Sequence, residues 1–172
     1  MRTLAEIDRH PLVPHDGKLI CREAVRAIIL RGNELLLIHS TVNGDYKFPG
    51  GGVQEDEDQQ SALIREVAEE SGGCVIATPQ PFGKVQEYDF PTEKVFTTFC
   101  MTSYYYLCEI EPLLGAQQLD EYEARLGFVP EWVTIDAAIK NNLALLTSGK
   151  KIERWVKRET QVLEIVRDEL IH

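Results

Sequence analysis

The sequence has 172 residues and no apolar run approaching the roughly 20 residues that a helix needs to cross a bilayer. Its longest runs, Ala27 to Leu30 and Leu35 to Ile38, fall far short, which excludes a helical membrane span. The opening residues, Met1-Arg2-Thr3-Leu4-Ala5-Glu6-Ile7-Asp8, lack the apolar stretch of a secretory signal and carry acids instead, so a cytoplasmic location is expected. Cysteine is sparse, with four residues (Cys21, Cys74, Cys100, Cys108) and no C-x-x-C pair. Cys74, Cys100 and Cys108 fall in strand-like apolar stretches, which favours reduced core thiols over a zinc site. The four histidines (His10, His15, His39, His172) never show H-x-x-x-H spacing and offer no metal motif. Positive charge is also scarce, with 18 basic residues against 28 acidic ones and a formal net charge of −10. That balance repels a polyanion and argues against a sequence-independent partner of polymeric nucleic acid. A small anionic substrate stays compatible where metal cations mediate.

What is present is an ordinary globular composition, 44% apolar and 27% charged, on a length suited to one domain. Residues 1–20, with Pro11 and Pro14, read as a polar extension draped over the domain. From Arg22 the chain alternates as a strand, turns at Arg31-Gly32-Asn33-Glu34 and continues as the strand Leu35 to Ile38, a hairpin with a buried centre. Strand-like runs recur at Cys74 to Ile76, Gly83 to Tyr88, Val95 to Ile110 and Phe128 to Ile135, implying a long mixed sheet. In the Tyr104-Tyr105-Tyr106 run, alternation sends Tyr104 and Tyr106 to one face and Tyr105 to the other, a packing role rather than base stacking. Helices are expected from about Asp58 to Ser71, closed by Gly72 and Gly73, after Asp136 as an N-cap, and over about 148–171. In the last, Ile152, Trp155, Val162, Ile165 and Val166 form a stripe that needs cover. Either the sheet of the same chain or a second copy supplies it, and a homodimer is expected.

The chemistry concentrates in residues 51–73, GGVQEDEDQQSALIREVAEESGG. On a helix at about 100° per residue, Glu70 lies about 40° to one side of Glu66 and Glu69 about 60° to the other. The three carboxylates therefore share one face, while Leu63 and Val67 run beside them and dock the helix. Arg65 neighbours Glu69 by the i, i+4 rule. Like charges so spaced destabilise an isolated helix, and a hard divalent cation relieves them; oxygen-only donors select Mg²⁺ or Mn²⁺ over zinc or copper. The preceding Gly50-Gly51-Gly52 offers bare backbone to an ion or phosphate. A merely solvated acidic helix face needs neither these glycines nor a lone arginine at this offset.

The stretch resembles the Nudix box, G-x5-E-x7-R-E-U-x-E-E-x-G-U with U apolar. It matches at Gly51, Glu57, Arg65, Glu66, Val67, Glu69, Glu70 and Gly72 and departs only at Gly73, where the pattern has an apolar residue. Lys47-Phe48-Pro49-Gly50-Gly51 and Glu131-Trp132-Val133 also look like the family, and the order of elements fits from about Arg22 to Leu145. The resemblance implies an α/β fold, an α/β/α sandwich around a mixed sheet with an added long C-terminal helix, as a single domain over 21–172 after the extension. It further implies hydrolysis of a pyrophosphate linkage in a nucleoside diphosphate joined to a moiety X, whether a nucleoside triphosphate, ADP-ribose or a sugar nucleotide. Mg²⁺, with Mn²⁺ as substitute, would be held by Glu66, Glu69, Glu70 and the Gly51 carbonyl, with Arg65 and Glu57 orienting these acids. The water would lose its proton to Glu66, the preferred base, or to a later carboxylate among Asp120, Glu121 and Glu123. The alternative is a module that binds or senses a nucleotide on this fold without cleaving it; all the box acids are present, so nothing in the sequence favours lost activity.

Overall fold

The computed structural model describes residues 1–171, so His172 lies outside the described residues. In chain order the elements are β1 (Thr3–Asp8), β2 (Leu19–Ile28), β3 (Leu30–Arg31), β4 (Glu34–Ser40), β5 (Tyr46–Lys47), α1 (Gln59–Ser71), β6 (Gln80–Asp89), β7 (Thr98–Leu107), α2 (Glu121–Leu126), β8 (Phe128–Thr134), α3 (Ile135–Thr147) and α4 (Trp155–Leu170). No helix among the described residues is long and apolar enough to cross a membrane.

Strands β1, β6, β7 and β2 form a mixed sheet in that order, with β1 parallel to β6, β6 antiparallel to β7 and β7 parallel to β2. A second sheet is built on β4, to which β3, β5 and β8 all pair antiparallel. The chain crosses between the sheets at Ile29, since Ile28 is registered with Leu107 of β7 and Leu30 with Leu35 of β4. The long mixed sheet read from the sequence is therefore a mixed sheet with an antiparallel companion.

Two apolar layers flank these strands. On one side Ala62, Leu63 and Val67 of α1 meet Val25, Ala27, Leu36 and Tyr106. On the other, Ile139 of α3 with Leu163 and Val166 of α4 meet Ile28, Leu37, Val85 and Tyr105. This is the expected sandwich. The run Leu35 to Ile38 is completely buried because successive side chains of β4 enter opposite layers, and a strand covered on both faces needs apolar residues throughout. Burial of each such leucine is worth about 1.5–3 kcal/mol. Period-two alternation likewise divides the tyrosines of β7 as expected, Tyr105 toward α4 and Tyr104 and Tyr106 toward α1.

Several expectations are corrected. Within residues 1–20, Thr3–Asp8 is not a draped extension but an edge strand with Ile7 in the core, a placement set by distant β6. The last helix begins at Trp155, because α3 runs to Thr147 and Gly149 turns the chain at positive φ; Ile152 stands before the helix. Val162 and Val166 of the expected stripe are buried within the chain itself together with Val156 and Leu163, while Ile152, Trp155 and Ile165 are half-buried. Thr134, not Asp136, is the N-cap of α3, and Asp136 sits in its first turn. The run Cys74 to Ile76 forms only a bridge between Val75 and Ile110. Of the cysteines, Cys100 and Cys108 are buried, whereas Cys74 and Cys21 are exposed.

Candidate active site

Helix α1 starts where the Asp58 side chain accepts from the Gln60 and Ser61 backbone N–H groups, which satisfies two of the donors a helix start leaves open. Its apolar side is held by the sheet, so its acidic side faces the loop from β5. There Arg65 reaches five acceptor oxygens on four residues. Its Nε and Nη2 each lie 2.9 Å from a Glu57 carboxylate oxygen. Its Nη1 donates to Glu66 at 2.7 Å and Glu69 at 3.0 Å, and Nη2 also reaches the Gly52 carbonyl at 3.2 Å. The Arg65 hydrogen bonds hold the Glu57 carboxyl below the usual carboxylate range. Burial pushes the Glu66 carboxyl up and Glu70 adds repulsion, against the Arg65 hydrogen bond and the charges of Arg65 and Arg26.

The glycines before α1 allow this approach. Gly50 has φ +141, and a Cβ there would collide with the Val25 carbonyl of β2; a Cβ on Gly51 would collide with the Glu66 carboxylate. Bare backbone thus lets α1 bring its carboxylates against β2. Glu70 is 1% exposed, with Oε1 2.5 Å from Lys47 Nζ and Oε2 accepting the Gly50 N–H at 2.8 Å. A buried carboxylate needs such partners.

The third wall is α2. Asp120 caps it and exchanges hydrogen bonds with Glu123 in a capping box. That turn aims Glu123 at α1, so Glu66, Glu70 and Glu123 each offer a carboxylate oxygen within 4.8 Å of the others. Burial raises the Glu123 carboxyl to about 7, Glu70 adding to the effect. Two oxygens bound to one Mg²⁺ at about 2.1 Å lie no more than about 4.2 Å apart, so the spacing of Glu66 and Glu70 is close to what one such ion needs, with Glu123 facing it. An all-oxygen set of three acids suits a hard divalent cation and no soft one.

Behind the carboxylates, α4 contributes a buried ionic ladder. Arg158 donates to Glu87 at 2.7 Å and, from Nε and Nη2, to Glu159 Oε1 at 2.9 and 2.6 Å. Glu159 also accepts from the Phe48 N–H at 3.0 Å and the Tyr105 hydroxyl at 3.3 Å, and Arg9 joins Glu87 at 2.8 Å. Burial pushes the Glu159 carboxyl up, but the charges of Arg158 and Arg26 and the Phe48 N–H more than offset it, leaving it below the usual range.

Of the residues singled out in the sequence, the structure gathers Arg65 with Glu57, Glu66 and Glu69, and Glu66 with Glu70. The Gly51 carbonyl accepts the Val25 N–H at 2.9 Å and keeps a second lone pair. Glu69 sits on the Arg65 side, outside the trio that Glu66 and Glu70 form with Glu123. Among the later carboxylates Asp120 is the cap of α2 and Glu121 is exposed. Lys47, Arg26 and Trp155 were not singled out as site residues. Lys47 lies next to the glycine run, but no local pattern shows that its ammonium meets Glu70.

The sequence profile of the NUDIX domain matches residues 21–156. The chain is 31% identical over 100 residues to the RNA pyrophosphohydrolase of a Nitratiruptor species, a match covering 53% of this chain and 64% of that protein. It therefore spans slightly under two thirds of that relative's length. In fold it is similar to a NUDIX hydrolase from Nitrosomonas europaea, with TM-score 0.54 and 17% identity over 88% of this chain and 93% of the other. It is also similar to the MutT of Aliivibrio salmonicida and Vibrio cholerae, with TM-score 0.51 and 19% identity over 85% and 99%.

Proposed function

This chain belongs to the NUDIX domain family, and from that premise we propose that it is a divalent-metal-dependent hydrolase of a pyrophosphate linkage in a nucleoside diphosphate joined to a moiety X. The observation that carries the reading is the convergence of Glu66, Glu70 and Glu123 beside an arginine that orients the neighbouring acids. Glu66, Glu70 and the Gly51 carbonyl would hold Mg²⁺ or Mn²⁺, with Glu69 completing the set through water. A bound divalent ion supplies charge neutralisation at the phosphate oxygens and acidifies water.

The residues divide the remaining work. Arg65 fixes the rotamer of Glu66 while Glu57 fixes Arg65, so the ligand face of α1 is set before substrate arrives. Lys47 and the Gly50 N–H fix the position of the buried Glu70 carboxylate. Glu123 receives the proton of the attacking water: one of its oxygens is tied to the Asp120 N–H, the other has no donor among the described residues, and its helix stands across from α1. The cytoplasmic location belongs to the same reading and agrees with four free cysteines.

The named relative adds RNA bearing a pyrophosphate linkage to the substrates worth testing. The deciding experiment is a panel of nucleoside triphosphates, ADP-ribose, sugar nucleotides, dinucleoside polyphosphates and triphosphorylated RNA, with Mg²⁺ or excess chelator, scored by the phosphate released. Metal-dependent turnover of at least one member is expected. Tight binding with no turnover of any member overturns the reading in favour of a sensing module.

A further inference from the structure

The buried ladder under α4 does not balance its own charge. Arg9, Arg26 and Arg158 bring three guanidinium groups to two carboxylates, Glu87 and Glu159. Arg9 and Arg158 make short ion pairs with those acids. Arg26 does not: its closest carboxylate oxygen, Glu159 Oε1, is 3.8 Å from Nε and already accepts two bonds from Arg158 and one from Tyr105. The Arg26 side chain is only 12% exposed, and among the described residues its Nε is buried without a hydrogen-bond partner and its Nη1 has only the Val25 carbonyl at 3.2 Å. Leaving a charged donor unmet in a dry setting is costly, and structures keep such groups where a ligand completes them.

Arg26 looks into a cleft of about 150 Å³ that it shares with Lys47, Gly50, Glu70, Glu123 and Trp155. The other cations there are engaged, Lys47 with Glu70 and Arg158 with Glu87 and Glu159. Glu70 and Glu123 of the carboxylate trio and the Arg26 guanidinium thus line the same small space. Pockets that enclose a whole drug-sized ligand run to roughly 300–1,000 Å³, so this one has room for phosphate groups and not for a nucleoside as well. A planar fork of N–H donors suits two oxygens of one phosphate.

We propose that Arg26 is the phosphate-binding residue of a subsite beside the Glu66, Glu70 and Glu123 cluster, and that the cleft admits the phosphate chain while the nucleoside stays outside. The preferred substrate class is then a compound presenting a polyphosphate at an accessible end, with little selection by base. The substrate class rests on the hydrolase reading; the subsite does not.

The test titrates inorganic pyrophosphate into the full chain in Mg²⁺ buffer by calorimetry, for the wild type, Arg26→Gln and Lys157→Gln. Lys157 is exposed on α4 and controls for the loss of one positive charge. Losing hydrogen bonds to a charged ligand weakens binding by roughly 10- to 100-fold, and that loss is expected for Arg26→Gln, with Lys157→Gln close to wild type. The melting temperature separates a ligand role from a structural one. Arg26→Gln gives up only a 3.8 Å contact with Glu159 and should melt close to wild type, whereas Arg158→Met loses three short hydrogen bonds and should melt clearly lower. Absence of pyrophosphate binding by the wild type, equal loss in Lys157→Gln, or a melting temperature for Arg26→Gln as low as for Arg158→Met overturns the subsite. Pyrophosphate binding that needs Arg26, with no turnover of any substrate, sinks the hydrolase reading and leaves the subsite standing. For the substrate class, kcat/KM across the four bases should stay within about tenfold; a larger spread overturns it, since sites that read a group by hydrogen bonding discriminate by roughly 10⁴–10⁵.

Discussion

The same dipeptide, Arg-Glu, occurs on α1 as Arg65-Glu66 and on α4 as Arg158-Glu159, and the two copies serve opposite ends. On α1 the arginine is a quarter exposed and its donors are shared among three acids and a carbonyl, so Glu66 keeps one oxygen without a protein donor. On α4 both side chains are almost completely buried, and the glutamate is saturated by arginine, tyrosine and a backbone N–H. The partner surface makes the difference. Opposite α1 stand glycines with no side chain to offer, while opposite α4 stand Glu87, Tyr105 and the Phe48 N–H. A pair left incomplete at a water-accessible edge is available for ligand chemistry; a completed one is a strut.

Substitutions on the two helices should separate along that line. The largest effect is expected at the site: Glu123→Gln should lower kcat by about 10²–10⁴, the range for a lost general base, with the Mg²⁺ dependence nearly unchanged. A full-rate Glu123→Gln enzyme returns the base to Glu66. On the other helix, Arg158→Met takes the main counter-charge from buried Glu159 and leaves Glu87 with Arg9 alone, and should cost about 3–5 kcal/mol of stability, read by denaturant unfolding. A loss below about 1 kcal/mol would mean that the ladder relaxes or admits water. Next comes Glu57→Gln, which loosens Arg65 without touching the trio; a drop of about 10–100-fold in metal affinity or rate is expected, with stability little changed. The smallest and sharpest contrast is in acid. Glu159 has a folded pKa below its ordinary 4.5, so its contribution to stability is complete above about pH 4.5 and is lost as pH falls through the folded value. In Arg158→Met burial acts on Glu159 with its main counter-charge gone, so acid unfolding should begin at higher pH than in the wild type. Arg65→Met should shift it far less, because Glu57 stays near water. Equal shifts in melts taken from about pH 3 to about pH 7 would erase the distinction between the helices.

Much of the site could be read from spacing alone, because its members are neighbours on one helix turn. The separation of Arg65, Glu66, Glu69 and Glu70 dictates a shared face, Asp58 and Gly72 bound the helix, and Leu63 with Val67 orients it. The alternation Tyr104-Tyr105-Tyr106 predicted opposite faces for the same local reason. Glu123 could be named only as one of three acids, since the choice depends on a capping box that turns α2 toward a helix more than fifty residues earlier in the chain.

The features legible in residue order are those that short-range geometry controls: the acidic helix, the bare glycine run before it, the both-face burial of β4 and the family pattern these compose. It took the tertiary structure to make Thr3–Asp8 an edge strand on β6, to cover the apolar face of α4 with the core of the same chain, to pair Lys47 with Glu70 and to leave Arg26 without a short ion pair. Each of these depends on which surfaces distant segments bring together, and charge, burial and hydrogen-bond satisfaction are properties of the assembled neighbourhood rather than of any residue in it.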